Sequence, residues 1–396
     1  MRLWHKGTLP DKEVERFTVG KDPVLDQRLV PYDCQGSIAH VLVLRKAGVL
    51  TNVEARRLIK GLERIVRLHV QGRFRIRRQD EDCHTAIENW LVKALGNAGK
   101  KLHTCRSRND QVLTALRLYE KDALKGLDSD IQAFQRAIRR RIKADGKVEM
   151  PGYTHMQRAM PTTVGAWLGS FHDSMEDNRE LIEEVGEIID QSPLGTGAGF
   201  GVPVFRLDRA LAARKLGFEK VMENPLYAQL SRGKFEASIA HSCAQVLFDL
   251  NKLATDLLLF STREFSLVSL PPELCTGSSI MPQKQNADVL ELVRASYHVV
   301  AGEQTTLQGI IASLPSGYNR DLQLTKEPLF AALDTTLRCL TVMRLVVEKL
   351  RIDKQRCKAA LSEELYATER AYLLVKKGMP FRDAYRLVGR EFSRRG

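Results

Sequence analysis

The sequence predicts an all-α protein built around long helices. Two stretches without glycine or proline, residues 234–270 and 329–377, carry apolar residues at three- and four-residue spacing. Helical stretches of this length are typical of helix bundles and coiled coils. Alternating patterns that would predict strands are scarce, so we expect no large sheet.

Three regions follow one another along the chain. We predict an N-terminal helical domain over residues 1–110, a central helical bundle over 111–350 and a small C-terminal helical domain over 351–396. In the first region, Thr51 and Glu54 have the spacing of a capping box. The helix that follows carries the apolar stripe Val53, Leu58, Leu62, Ile65 and Leu68. In the central region, a second stripe comprises Leu247, Leu250, Leu253, Leu257 and Phe260.

The composition excludes several classes of protein. The chain has 396 residues, of which 43% are hydrophobic, so it can bury a large core. The N-terminal residues lack the apolar run of a signal peptide, and no apolar run approaches the roughly 18 residues of a membrane span. We therefore expect no membrane association. The seven cysteines are scattered, without a Cys-x-x-Cys pair, which indicates reduced thiols in a cytoplasmic protein and no zinc site.

The chain is basic, with a formal net charge of +13. Its densest basic segments are residues 72–78 and 139–143. The first lacks the interleaved aromatic residues of a single-strand nucleic-acid groove, and the second indicates a solvated helix face. We expect the charge to attract an anionic small substrate, and we expect no nucleic-acid partner.

Three polar segments are candidates for a functional site. The first, "KLHTCRSRNDQV" at residues 101–112, carries Arg106 and Arg108, whose guanidinium forks suit carboxylates. An alternative interpretation is that Asn109 or Asp110 caps the next helix. Both interpretations can hold, because helix N-termini also attract anions.

The second segment, "PGYTHMQRAMPTT" at residues 151–163, has the composition of a loop and precedes a helix expected to begin near Thr162. Thr154 and His155 lie at its centre. Histidine changes charge near neutral pH and can act as a general acid or base. The alternative is a surface or capping histidine.

The third segment is "GSSIMPQKQN" at residues 277–286. Lys284 and Asn286 can hold a carboxylate and the negative charge that develops on it when a neighbouring C–H group loses its proton. We expect Asn286 or Asp288 to cap the next helix, and Glu291 to share a face with Lys284 two turns earlier. A phosphate loop is the alternative, but its Gly-x-x-x-x-Gly-Lys-Ser/Thr pattern is absent.

Two further segments are polar. In "QDEDCHTAIE" at residues 79–88, His84 and Glu88 are i,i+4 neighbours and could form half of a metal site. Because no second cluster has ligand spacing, we prefer a hydrogen-bonded helix start and expect no metal. The segment at residues 316–328 offers groups that suit another end of a ligand: Tyr318, Arg320, Gln323 and Lys326.

Taken in order, these segments resemble the argininosuccinate lyase family of the fumarase/aspartase superfamily. "GSSIMPQKQN" resembles the superfamily signature Gly-Ser-Ser-x-Met-Pro-x-Lys-x-Asn, and "HTCRSRND" is similar to this family's Thr-Gly-Arg-Ser-Arg-Asn-Asp motif. The similarity covers almost the whole chain. Cys105 stands where the motif has glycine, and Thr325 where many members have aspartate. The predicted C-terminal domain is shorter than in many members.

The resemblance implies reversible elimination of argininosuccinate to arginine and fumarate through a carbanion, the last step of arginine biosynthesis, without cofactor or metal. It implies an elongated three-domain subunit whose central helices form a twenty-helix core in a homotetramer, with active sites shared between subunits. The alternatives are another superfamily lyase, such as an adenylosuccinate lyase, or an inert crystallin-like structural homologue. A basic nucleic-acid-binding bundle is a remote third.

The resemblance also implies roles for individual residues. Ser278 would be the base, which requires a hydroxyl pKa far below its ordinary value. Lys284 and Asn286 would stabilise the carbanion. His155, hydrogen-bonded to Glu291 of another subunit, would act as the acid. The implied substrate contacts are Asp26, Arg108, Asn109, Thr154, Tyr318, Gln323 and Lys326.

Overall fold

The computed structural model describes residues 11–393 and is predominantly helical, which confirms the predicted all-α class. The prediction about a signal peptide falls largely on residues 1–10, which lie outside the described residues. The helices are α1 Lys12–Val19, α2 Asp22–Leu25, α3 Val30–Lys46, α4 Asn52–Val70, α5 Cys83–Leu95, α6 Asn97–Lys100, α7 Arg108–Asp145, α8 Val164–Ile189, α9 Arg209–Leu216, α10 Pro225–Leu230, α11 Lys234–Phe260, α12 Asp288–Ile311, α13 Lys326–Lys349, α14 Lys354–Ala359, α15 Ala367–Lys376 and α16 Phe381–Ser393.

The strands of the described residues are short and pair as two-stranded sheets. Three pairs are antiparallel, and the pair formed by Gln191–Ser192 and Lys220–Val221 is parallel. The strands are β1 Glu149–Thr154, β2 Gln157–Thr163, β3 Gln191–Ser192, β4 Lys220–Val221, β5 Val268–Ser269, β6 Thr276–Gly277, β7 Gln285–Asn286 and β8 Arg351–Ile352.

Within the described residues, α7, α8, α11, α12 and α13 each exceed 20 residues. None of the described helices is both long and apolar enough to cross a membrane. The helices predicted over residues 234–270 and 329–377 are shorter in the structure. The first ends at Phe260, and the second breaks after Lys349, where β8 pairs with β5. Asp353 then caps α14 by accepting a hydrogen bond from the Arg356 N–H (2.9 Å), so a new helix begins there.

Residues 149–163 form a β-hairpin, and the expectation of a loop was wrong. Pro151 and Pro161, which suggested a loop, face each other across the two strands, and the register shifts between Pro151 and Tyr153. Proline lacks an N–H group and is tolerated at such irregular positions of a sheet. The hairpin leads into α8, which begins at Val164.

Contacts divide the chain into two compact units, each assembled from separate segments. Unit 1 runs to Leu127 and adds Leu181–His241 and Gly302–Leu333. Unit 2 contains Asp128–Glu180, Ser242–Ala301 and the chain from Asp334 onward. The division into three domains at residues 110 and 350 stays a prediction.

The predicted apolar stripes account for much of the core. In α11, every member of the stripe is buried. In α4 the capping box is present: the Thr51 hydroxyl accepts from the Glu54 N–H (3.2 Å), and the Glu54 carboxylate accepts from the Thr51 N–H (2.9 Å). Leu58 and Leu62 are fully buried, but Val53 is 58% exposed. Val53 lies about 140° around the helix from Leu58, so it misses the core-facing side.

A fully buried hydrogen-bonded pair, Arg117 and Glu120, lies in unit 1. The Arg117 Nε donates to Glu120 Oε2 (2.9 Å) and its Nη1 donates to the Ile189 carbonyl (3.1 Å). The guanidinium also lies 4.2 Å from the centre of the Phe235 ring. Burial and the nearby Glu236 carboxylate raise the pKa of Glu120 to about 8, against the opposing effect of Arg117.

We expect Glu120 to contribute a fall in the free energy of unfolding as pH rises from about 5 to 8. Above pH 4.5 the carboxyl group of the unfolded chain releases its proton, whereas native Glu120 keeps its proton up to about pH 8. The stability that Glu120 contributes below pH 4.5 is therefore lost as pH rises through the native pKa. The loss should reach at most about 1.4 kcal/mol per pH unit. Glu120→Gln cannot ionise, so its unfolding free energy should depend less on pH.

Urea unfolding at pH 5, 6.5 and 8 measures this difference. Glu183→Gln, at an exposed position of α8, is the matched control and should follow the wild type. The same pH dependence in the wild type and Glu120→Gln would contradict the assignment.

Candidate active site

A polar pocket of about 180 Å³ lies within unit 1. Its polar lining comprises Asp22, Glu81, Asp82, Arg108, Asn109, Arg232, Tyr318, Arg320, Gln323 and Lys326. Segments at residues 79–88, 101–112 and 316–328, which are far apart in sequence, therefore meet here. Five of the predicted substrate contacts are among these side chains: Arg108, Asn109, Tyr318, Gln323 and Lys326.

The start of α7 supplies two of these contacts. The Ser107 hydroxyl accepts from the Asn109 N–H (3.2 Å), and the Ser107 N–H donates to Asp110 Oδ1 (2.9 Å). Ser107 thus caps the helix, and the expectation that Asn109 or Asp110 would do so was wrong. Because α7 begins at Arg108, Arg108 and Asn109 occupy its first turn and line the pocket.

A strained turn directs two carboxylates towards Arg108. Its Nη1 lies 3.5 Å from both Glu81 Oε2 and Asp82 Oδ2, and its Nη2 donates to the Thr85 hydroxyl (3.3 Å). Glu81 has φ 65° and ψ −53°, and the Asp82 N–H donates to the Asp80 carbonyl across it (2.8 Å). These values describe the rarer γ-turn, a conformation held by its surroundings and often found at functional sites.

Lys326 is held by two carboxylates. Its Nζ lies 2.7 Å from Asp22 Oδ1 and 2.6 Å from Asp26 Oδ1. Burial alone would lower the pKa of Lys326, but the two carboxylates outweigh burial and raise it. Asp26 is fully buried behind the pocket and also accepts from the Cys83 N–H (3.3 Å), whereas Asp22 lines the pocket. The predicted role of Asp26 as a substrate contact stays a prediction.

The segment at residues 79–88 is a hydrogen-bonded helix start, as we preferred. Asp82 caps α5 by accepting from the Thr85 N–H (2.8 Å). His84 Nδ1 pairs with Asp33 Oδ2 at 2.9 Å, inside the protein. His84 also lies within 4.8 Å of Asp26 and Cys83, counted between possible ligand atoms. Its pairing with Asp33 explains the position of His84.

Arg232 also lines the pocket and is not among the site residues predicted from the sequence. Its guanidinium lies 4.9 Å from the centre of the Tyr318 ring, and its Nη1 is buried without a hydrogen-bond partner among the described residues. The sequence feature that could have indicated Arg232 is its position in the short polar connection between α10 and α11.

The superfamily signature forms a hairpin in unit 2. Strands β6 and β7 pair and enclose residues 278–284. The Ser278 hydroxyl oxygen accepts from the N–H groups of Ile280 (3.4 Å) and Met281 (3.2 Å). Donors aimed at a hydroxyl oxygen favour its deprotonated form.

Lys284 and Glu291 do not share a helix face, so that prediction was wrong. Lys284 is exposed in the hairpin loop, whereas α12 begins only at Asp288. Strand β7 holds Asn286, so Asn286 cannot cap α12. Asp288 is already the first residue of the helix, and its carboxylate accepts from the Thr276 hydroxyl.

The tip of the β1–β2 hairpin carries the predicted acid. Thr154 pairs with Gln157, which leaves His155 and Met156 as a two-residue turn. Both turn residues have positive φ, 53° and 61°, as a type I′ turn requires. The side chains of Thr154 and His155 are exposed, and Glu291 is exposed on α12.

Comparison with known proteins decides the family. Residues 14–302 match a family model described as lyase, and residues 364–393 match the argininosuccinate lyase C-terminal model. The argininosuccinate lyase of Thermotoga neapolitana is 47% identical over 393 residues, which are 99% of this chain and 98% of that protein. This chain belongs to the argininosuccinate lyase family. The enzyme of Sorangium cellulosum is 46% identical over 99% of this chain and 91% of its own length.

Two solved structures have a similar fold. EDDS lyase in complex with formate has a TM-score of 0.82 at 25% identity, over 97% of this chain and 76% of that chain. A fumarate lyase/delta crystallin from Brucella melitensis has a TM-score of 0.79 at 18% identity, over 96% and 87%. These likenesses confirm the predicted all-α fold.

One departure from the argininosuccinate lyase motif has a visible structural effect. Cys105 occupies the motif's glycine position and has φ 61°. Only glycine adopts this left-handed region without steric cost, which explains the residue that the family motif carries there. This chain keeps the backbone conformation despite its cysteine side chain.

Proposed function

We propose that this chain cleaves argininosuccinate to arginine and fumarate, reversibly. The observation that carries the proposal is the convergence of Arg108 and Asn109, from the motif that marks this family, with Tyr318, Gln323 and Lys326 in one pocket. The pocket has both charge signs, which suits a substrate with carboxylates, an amino group and a guanidinium group. We propose no cofactor and no metal.

The proposed reaction begins at Ser278. Its deprotonated hydroxyl takes a proton from the carbon beside a substrate carboxylate, and the electron pair passes into that carboxylate. The N–H groups of Ile280 and Met281 lower the hydroxyl's proton affinity, while Lys284 and Asn286 stabilise the added negative charge. When the electron pair returns to form the carbon–carbon double bond, the bond to the guanidinium nitrogen breaks.

The leaving nitrogen needs a proton, which we assign to His155. A histidine can supply it near neutral pH because its ordinary pKa lies in that range. Thr154 stands beside it at the hairpin tip and is a proposed substrate contact. We propose that Glu291 of another subunit orients the imidazole.

The pocket in unit 1 is proposed to bind the substrate. Arg108 offers its guanidinium to a carboxylate, and Asn109 adds neutral hydrogen-bond donors. Tyr318, Gln323 and Lys326 extend the polar surface. Asp26 contributes by holding Lys326, with which it forms an ion pair.

We also propose a homotetramer with active sites shared between subunits, in the cytoplasm. Ser278 lies in a short hairpin loop, and His155 and Lys284 are exposed on a turn and a loop, so each is accessible to another copy of the chain. All seven cysteines are free, as in proteins of a reducing compartment. Neither a nucleic acid nor a membrane is proposed as a partner.

Incubation of the purified chain with argininosuccinate tests the function directly. Fumarate should accumulate, as followed by its ultraviolet absorbance, while adenylosuccinate should give none. Fumarate from adenylosuccinate alone would favour the other superfamily lyase. Failure with both substrates, in a folded tetramer, would favour an inert structural homologue.

Mixing of two inactive variants tests the sharing of sites. Ser278→Ala and His155→Ala chains, unfolded together and refolded, should regain activity. If the two residues of one site come from different copies, random mixing restores both in about a quarter of the sites of a tetramer. Continued inactivity, with mixed tetramers confirmed by mass spectrometry, would contradict shared sites.

A further inference from the structure

A groove of about 460 Å³ in unit 2 has four arginines in its lining. It is formed by Gln132, Arg136, Arg139 and Arg140 of α7 and by Arg179 of α8. None of these five side chains is acidic, and none belongs to the proposed active site.

Two of the four arginines already have carboxylate partners. Arg179 Nε lies 2.6 Å from Asp128 Oδ1 and its Nη1 lies 2.9 Å from Glu176 Oε1. Arg140 Nη2 lies 2.6 Å from Glu348 Oε1. These ion pairs fix two guanidinium groups at the wall of the groove.

The positive charges of the other two arginines are not paired with carboxylates of the described residues. Arg136 and Arg139 are exposed, and neither has a carboxylate partner in residues 11–393. With Arg140 they stand at i, i+3 and i+4, which are neighbouring positions on a helix surface. Like charges at these spacings repel one another and destabilise the helix, whereas a bound anion would remove the repulsion.

We propose that this groove binds a polyphosphate group, either inorganic or part of a nucleotide. An arginine fork can donate two parallel hydrogen bonds to the oxygens of one phosphate. Arg136 and Arg139 therefore bind successive phosphates, and the paired Arg140 and Arg179 contribute their remaining N–H groups. A single phosphate engages only part of this surface, so the groove favours a multivalent anion.

Calorimetric titration of the full chain with inorganic tripolyphosphate, ATP and inorganic phosphate at low salt tests the proposal. The wild type should bind tripolyphosphate or ATP more tightly than phosphate, and the affinity should fall as salt is raised. Arg136→Gln/Arg139→Gln should weaken binding by about tenfold or more, because two charge-assisted contacts are lost. Equal affinity for tripolyphosphate and ATP would show that the groove recognises the polyphosphate alone. Tighter binding of ATP would show that the groove also recognises the nucleoside.

Arg56→Gln/Arg57→Gln is the matched control, because it removes the same charge from exposed positions of α4. It should bind like the wild type. Equal weakening in both double variants would overturn the proposal in favour of a general charge effect, as would undetectable binding of both tripolyphosphate and ATP. A melting temperature no lower than that of the wild type, together with unchanged argininosuccinate cleavage, verifies that the groove variant is folded, since loss of the arginine repulsion should if anything stabilise α7.

Discussion

Replacement of Ser278 by alanine is expected to lower kcat for argininosuccinate cleavage by about 10²–10⁴-fold, the usual contribution of a positioned general base. The hydroxyl oxygen accepts from two backbone N–H groups, those of Ile280 and Met281. That arrangement stabilises an alkoxide, which alanine cannot form. Steady-state kinetics should show the loss in kcat with a smaller change in KM, because the substrate pocket keeps its side chains.

The neighbouring serine provides a sharp control. Ser279 is exposed in the same hairpin loop, and no role in the reaction is proposed for it. Ser279→Ala should therefore keep kcat within a few-fold of the wild type. If Ser278→Ala were as active as Ser279→Ala, the base would have to be another group.

The second large effect concerns stability. Lys326→Met should lower the free energy of unfolding by about 3–5 kcal/mol, the usual result of removing one partner from a buried ion pair. The substitution leaves Asp22 and Asp26 without their shared cation, and the Asp26 side chain is fully buried. Because the pKa of Lys326 is raised, its contribution is present below the ordinary lysine pKa and is lost only as pH rises through the higher native value.

Urea unfolding at pH 7 measures the effect, and a surface ion pair provides the control. Lys21 pairs with Glu327 at the surface, with side-chain exposures of 69% and 52%. Lys21→Met should cost at most about 1 kcal/mol, because exposed ion pairs contribute little. Similar decreases in the free energy of unfolding of the two variants would show that the ion pairs of Lys326 contribute no more stability than a surface ion pair.

Elements with regular spacing could be predicted from the sequence. The α11 stripe and the Thr51–Glu54 capping box are local patterns, and the structure has both. The segments that line the pocket could be selected because they are polar without being turns or linkers. Their meeting in one place could not be read from spacing, since Asp26 and Lys326 are 300 residues apart.

Three of the wrong predictions share a physical cause, which is that backbone pairing between strands overrides the preference that each segment shows alone. Strand β8 interrupts an apparently continuous helix because β5 pairs with it. The hairpin at residues 149–163 carries two prolines and a positive-φ histidine, all of which favour a loop when considered alone. The prediction that Lys284 lies on a helix face failed because strand β7, which pairs with β6, is too short to leave a periodic pattern in the sequence.

The Lys326 ion pair has a consequence for the order of folding. Asp22 and Asp26 emerge early in synthesis, but their cation is added 300 residues later. Until then both carboxylates remain hydrated, because burying them without a partner is unfavourable. The pocket therefore forms late, by a contact of high sequence separation, which is slow to make. A nascent chain of 110 to 325 residues has every residue of the "RSRND" motif and still no complete substrate pocket.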